Sequence, residues 1–199
     1  GLDTGGRRGL PDLLCALDRL PGDFQLRLLY GYPTGVTPEL LRTMRETAKT
    51  CAYLDVPVQH SHPDILRAMQ RADTIRAVQD LPARTRAVLP DIALRTTCLV
   101  GFPGETEQHV EHLVQYLRAA QFDHLGVFAY SPEDGTPAAE LPDRPSPREA
   151  DARRRHVLEV QQQIVSARAA ARIGTRERVR LERCEQIDNQ PIWLARSTR

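Results

Sequence analysis

The residues best suited to bind a small molecule fall in four short stretches: Tyr30-Gly31-Tyr32-Pro33, Gln59-His60-Ser61-His62, Leu99 to Thr106, and Tyr130-Ser131. The third, Leu99-Val100-Gly101-Phe102-Pro103-Gly104-Glu105-Thr106, is the most informative. Apolar residues run into it, Ala93-Leu94 and Cys98-Leu99-Val100, and two glycines and a proline end the run at once. Glycine lets another group approach the backbone where a side chain would block it, so Gly101 and Gly104, with Phe102 between them, are candidate ligand contacts. No lysine follows Gly104, so the turn is not a phosphate loop of the Walker type. It carries Glu105 instead, a carboxylate that suits a helix N-terminus and repels phosphate. The expected ligand offers hydroxyls, amines or positive charge.

Other reactive side chains carry less. Cys15, Cys51, Cys98 and Cys184 are too far apart for a CxxC or CxxxCxxC ligand set, and three of them, flanked by apolar or helical residues, read as small core hydrophobes. Lys49, the single lysine among 27 basic residues, lies in a polar helical stretch that does not suit Schiff-base chemistry. His109 and His112, three apart on a predicted helix, have the spacing to share a metal, but no third ligand is evident in the sequence and a solvated helix face accounts for them.

The elements that must position these residues alternate regularly. Leu10 to Leu20 reads as a helix ended by Pro21-Gly22, and Gln25 to Tyr30 as a strand. Thr37 caps a helix that has Pro38 at its first position and runs to about Arg45. Ala52 to Val58 is a strand, Pro63 opens a helix with Ile65, Leu66 and Met69 on one side, and a further helix covers Asp73 to Val88. The strand Ala93–Val100 delivers the glycine turn, a helix follows over Glu105–Ala120, and His124–Tyr130 is a fourth strand. A proline-rich connector, Pro142 to Pro147, leads to a long helix that ends at Gly174. Arg178 to Arg183 and Pro191 to Arg196 then alternate with period two, as the first strands of a small β module. Four strand–helix units argue an α/β fold with parallel strands and right-handed crossovers, open or part of a barrel. In such folds the site collects at the C-terminal strand ends, where Tyr30, Tyr32, Gln59, His60, Gly101, Gly104, Tyr130 and Ser131 all fall, so one shared pocket is predicted.

The chain has 199 residues and a net charge of +1, which implies no strongly charged partner. It holds no apolar run near the ~20 residues that cross a bilayer and no signal-peptide pattern, so a cytoplasmic location without membrane contact is expected.

In order along the chain, Asp3-Thr4, Leu29-Tyr30-Gly31-Tyr32-Pro33, Tyr53 to His60, Ile65 to Arg71, Arg95 through Thr106 and Phe128 to Ala138 resemble the radical S-adenosylmethionine methylthiotransferases, specifically the RimO type. That type modifies an aspartate of ribosomal protein uS12. Val179 onward is similar to the start of a TRAM domain, with Ala195-Arg196-Ser197 like its Gly-Arg-Ser. The resemblance implies a TIM-like radical barrel, parallel strands with helices outside, over residues 1–174, and a TRAM segment over 175–199. The family's CxxxCxxC triplet is absent, as is its preceding cluster domain, so the chain reads as a C-terminal fragment that by itself holds no cluster. His62 stands where relatives often carry a small polar residue. An open sheet edge is then expected, with poor solubility or a swapped assembly as its consequence.

For the complete enzyme the resemblance implies S-adenosylmethionine and two 4Fe-4S clusters. One cluster cleaves the cofactor to a radical that takes hydrogen from the substrate carbon; the other supplies sulfur, and a second S-adenosylmethionine supplies methyl. It places Tyr32, Gln59, Ser61, Arg95, Gly101, Phe102, Gly104, Glu105, Tyr130 and Ser131 around the cofactor. The backbone of Gly101 to Gly104 would lie against adenine, Gln59 and Ser61 would bond the ribose or methionyl part, and Tyr130 and Ser131 would close the adenine side. Arg95 would pair with the carboxylate or with a neighbouring helix. His60 would face substrate or position a neighbour. The expected partner is uS12 or the 30S ribosomal subunit, with RNA contact through TRAM or through the exposed face of Arg153-Arg154-Arg155. Three other readings stand beside it: a MiaB-like tRNA methylthiotransferase, a non-catalytic ribosome- or RNA-binding fragment, and a barrel lyase unrelated to clusters. His60 and the Tyr30–Pro33 turn favour the RimO type over MiaB, and near-neutral charge weighs against RNA binding alone.

Overall fold

The computed structural model describes residues 9–177, 179–188 and 190–197. Asp3-Thr4, which carries part of the family resemblance, lies outside them. The element order is α1 (Leu10–Asp18), β1 (Leu26–Leu28), α2 (Pro38–Glu46), β2 (Thr50–Asp55), α3 (Pro63–Ala68), α4 (Ile75–Val88), β3 (Ala93–Val100), α5 (Glu107–Ala120), β4 (His124–Ala129), α6 (Pro147–Ala170), β5 (Val179–Ile187) and β6 (Gln190–Ser197).

The first four strands form one parallel sheet in the order β1-β2-β3-β4. Strand order never reverses, so each crossover adds its helix on the same side, as in a barrel rather than a doubly wound sheet. Burial agrees. Leu94, Thr96, Cys98 and Val100 of β3 are fully enclosed, and Leu54, Leu94 and Val127 from the strands share one core with Leu41, Leu81, Leu117 and Val157 from the helices. The opposite face of β3 carries Arg95, Thr97 and Leu99, in register with His124, Gly126 and Phe128 of β4. This is the face a barrel would turn inward.

Local chemistry explains the element ends. Thr37 Oγ1 accepts from Leu40 N at 3.1 Å, and Ser146 and Glu149 form a reciprocal capping box on α6. α5 begins at Glu107, two residues later than expected, because Thr106 is its cap and His109 completes a capping box. β2 stops at Asp55, short of Val58, since Pro57 has no N–H to give the ladder. Pairing resumes once, where Gln59 bridges Cys98. α4 runs through Pro82, which cannot donate to Val78 O. That carbonyl is satisfied from α5, where Tyr116 Oη donates to it at 2.9 Å. α6 ends at Ala170, three residues before Ile173, and a turn leads to Gly174 at φ +86°. β5 and β6 then form an antiparallel hairpin, tied back to β1 by Arg27 Nη2 donating to Ser197 O at 2.6 Å. Among the described residues, no helix is long and apolar enough to cross a membrane.

Candidate functional site

A cavity of about 350 Å³ opens at the C-terminal ends of β2 and β3. Its walls include Gln59, Met69, Arg71, Leu99, Phe102 and Leu141, and the segment from Thr136 to Ala138 crosses over it. The lining is mostly apolar, with Gln59, Gln70 and Arg71 as its largest polar groups, the pattern of a pre-formed small-molecule site. Gln59 sits at φ +68°, a left-handed conformation costly for a side chain of its kind. It is held there by Gln59 N donating to Thr97 O at 2.9 Å and Leu99 N donating to Gln59 O at 2.7 Å.

The cavity gathers some of the sequence-predicted residues. Gln59 and Phe102 line it. The Tyr130 ring packs edge-on against Phe102, centres 5.1 Å apart, and its buried hydroxyl has no partner. Tyr32 lies one layer out: the Arg71 guanidinium is 4.8 Å from its ring centre, and its hydroxyl donates to Asp73 Oδ1 at 3.0 Å. Burial and that bond push the Tyr32 hydroxyl pKa up. Ser131 is exposed at the head of the connecting turn.

Four predicted residues serve the scaffold rather than the cavity wall, and Gly104 serves the turn. Ser61 is enclosed, with its Oγ 2.9 Å from His112 Nδ1. His60 is fully enclosed, so it does not face a substrate; its Nδ1 accepts from His62 N at 2.9 Å, leaving the proton on Nε2, 3.5 Å from Glu105 Oε1. Glu105, also buried, accepts at Oε2 from Gly101 N at 2.7 Å and from Arg153 Nη1 at 2.9 Å. Its carboxylate therefore ties the glycine turn to α6 and to the β2–α3 loop. Gly101 is needed for packing: at φ +74°, a Cβ there would meet Ala150 Cβ at 2.5 Å. Its amide is already spent on Glu105. Gly104, at φ +78° with open space where a Cβ would stand, supplies the turn conformation, and its N–H donates to Asp143 O at 3.0 Å.

Arg95 belongs to the other end of the sheet. It pairs in register with Asp55 and with His124, the first residue of β4, about 16 Å before Val100. It lines a separate polar cavity of about 540 Å³ with Arg27, Tyr53, His124, Gln161 and Arg196. A hydrogen bond involving Tyr53, more than the nearby Asp55, raises its pKa. Sequence reasoning missed Arg71, which lies just past the short helix α3 and follows no motif of its own. It also missed Arg153, read as exposed, because its partner Glu105 is 48 residues away.

The cysteines stand apart in α1, β2, β3 and β5. Cys51 and Cys98 are buried, Cys15 is half-buried and Cys184 is exposed, and burial pushes the Cys98 thiol up to about 12.

Residues 7–117 match the model of the Radical SAM superfamily, and the chain belongs to that superfamily. Membership implies use of S-adenosylmethionine and an iron–sulfur cluster. Its relatives narrow the likeness. It is 48% identical over 174 residues to the ribosomal protein uS12 methylthiotransferase RimO of Synechococcus sp. (strain RCC307), covering 87% of this chain and 36% of that protein. It is 42% identical, over its whole length, to the RimO of Synechocystis sp. (strain ATCC 27184 / PCC 6803 / Kazusa), of which it covers 44%. The chain thus spans about two-fifths of these relatives' length. Among solved structures it resembles coproporphyrinogen III oxidase (HemN) from Escherichia coli, a radical SAM enzyme, with TM-score 0.61 and 17% identity, covering 77% of this chain and 36% of that one. That likeness supports the part-barrel fold.

The cavity suits the implied cofactor. Leu99, Phe102 and Leu141 offer apolar surface against which a flat base would fit, and Gln59 and Arg71 are polar groups able to hydrogen-bond hydroxyls or a carboxylate.

Proposed function

We propose that this chain is the cofactor-binding part of a radical methylthiotransferase of the RimO type, which adds a methylthio group to the β-carbon of an aspartate of uS12. The observation that carries this reading is the conjunction of the Gln59–Leu99–Phe102 cavity with close likeness to RimO proteins over most of the chain. The bound cofactor and its cluster supply radical hydrogen abstraction; this chain's residues bind, orient and shield. Leu99 and Phe102 flank the adenine and exclude water. Gln59 hydrogen-bonds the ribose or the methionyl group. Arg71, in place of Arg95, holds the carboxylate in a two-pronged pair. Tyr130 closes the adenine side with its unpartnered hydroxyl turned to the ligand. In this reading residues 1–174 are the barrel part and 175–199 the start of a TRAM domain that grips the 30S substrate or its RNA. The ligands of both 4Fe-4S clusters lie outside these 199 residues, and the complete enzyme works in the cytoplasm.

Mass spectrometry of uS12 and of tRNA from a strain lacking the gene tests it. Loss of a methylthio group from the uS12 aspartate with tRNA unchanged is the expected result. Loss from tRNA alone transfers the assignment to a MiaB-like enzyme, and no loss from either refutes methylthiotransfer.

A further inference from the structure

Four of the chain's six histidines gather where α3 meets α5. Ring centres of His62 and His109 are 4.3 Å apart, and those of His62 and His112 are 4.9 Å apart. One ligand atom each from His62, Asp64 and His109 lies within 4.8 Å of the other two. Asp64 Oδ1 accepts from Arg67 Nη1 at 2.5 Å, and Asp64 Oδ2 lies 3.9 Å from His62 Nδ1. The i, i+3 pair His109 and His112 lacked further ligands in the sequence; folding brings His62 and Asp64 to it.

We propose that His62, Asp64 and His109 form a site for a zinc-class divalent cation, with water in the fourth position. Two imidazoles and one carboxylate are the ligand set of open zinc sites, and imidazole selects against calcium and magnesium. The site has a built-in cost. His62 Nδ1 accepts from Asp64 N at 3.2 Å and His109 Nδ1 accepts from Thr106 N at 3.0 Å. A ring nitrogen that binds the ion cannot accept from the backbone. If the other nitrogen binds it, Nδ1 must carry the proton and again cannot accept. The ion therefore displaces a cap at the start of α3 and another at the start of α5, each worth about fivefold in affinity. Thr106 follows Glu105, so occupancy loosens the turn beside the cofactor cavity.

The test is zinc titrated calorimetrically into the metal-free 199-residue chain, with cobalt(II) as the optical probe. One equivalent should bind, giving a tetrahedral cobalt spectrum without a thiolate charge-transfer band, and the amide signals of Asp64 and Thr106 should shift on binding. His62→Ala should weaken binding at least tenfold. His109→Gln, which keeps a capping side chain at that position, should do the same while folding normally. His156→Ala, elsewhere on α6, should change nothing. No saturable binding, a thiolate band from Cys15 or Cys184, or full affinity in either the His62 or the His109 variant overturns the proposal.

Discussion

Gly101→Ala separates a scaffold role from a ligand-contact role for the glycine turn. The new Cβ would lie 2.5 Å from Ala150 Cβ and 3.1 Å from Ala150 Cα, at φ +74°. The left-handed conformation costs an L side chain about 1 kcal/mol, and overlap in a packed interior costs about 2 kcal/mol, so the single variant should lose about 3 kcal/mol. Ala150→Gly alone should lose about 1 kcal/mol, the usual penalty of glycine in a helix. Ala150→Gly also removes the atom that is struck. The double variant then keeps only the two backbone terms, about 2 kcal/mol, against about 4 kcal/mol if the sites were independent, a coupling of about 2 kcal/mol. Urea denaturation of the four proteins, followed by circular dichroism, measures it. Stability of Gly101→Ala within about 0.5 kcal/mol of the parent, or a double variant that is simply additive, would refute the contact with α6 as the reason for this glycine.

Two further outcomes follow from the same packing. Tyr116→Phe strips the donor from Val78 O, the carbonyl left over by Pro82, and should cost about 1–2 kcal/mol in the same denaturation experiment; no change would mean that the carbonyl finds another partner. His109 and His112 have pKa values lowered in the fold, by burial first and then by neighbouring histidines. The unfolded chain therefore binds more protons below an ordinary histidine pKa of about 6.5, and stability present above that pH should fall as the pH is lowered through it toward the folded values. Denaturation midpoints between pH 7.5 and 5 check this, and a slope unchanged in His112→Asn would contradict the assignment to that residue.

The strand–helix rhythm was legible because its signals are local. Thr37-Pro38 marks a helix start, Gly174 follows a helix end, and β3 alternates enclosed and open positions before two glycines. The rim was legible as a place, and Gln59 and Phe102 were found on it. Which rim residues face the ligand was not legible. Glu105 and His60 are of types that suit a site, yet they are enclosed because Arg153 arrives from α6, 48 residues on, to meet Glu105. Arg95 has the right chemistry on the right face at the wrong height, since only the register with Asp55 and His124 fixes its level. Arg71 joins the cavity through a turn after α3 that no periodicity announces. The left-handed Gln59 is likewise invisible in sequence, because glutamine is not a residue that signals such a turn.

S-adenosylmethionine binding at the cavity of Gln59, Arg71, Leu99 and Phe102 is the property most directly open to measurement. Calorimetric titration of the cofactor into the parent chain and into Gln59→Ala, Arg71→Ala and Arg95→Ala measures it. Saturable binding weakened about fivefold by Gln59→Ala and at least about tenfold by Arg71→Ala, as expected when a neutral and a charge-assisted hydrogen bond are lost, and unchanged in Arg95→Ala is the predicted result. Binding that is indifferent to Gln59 and Arg71, or that follows Arg95 instead, would contradict it.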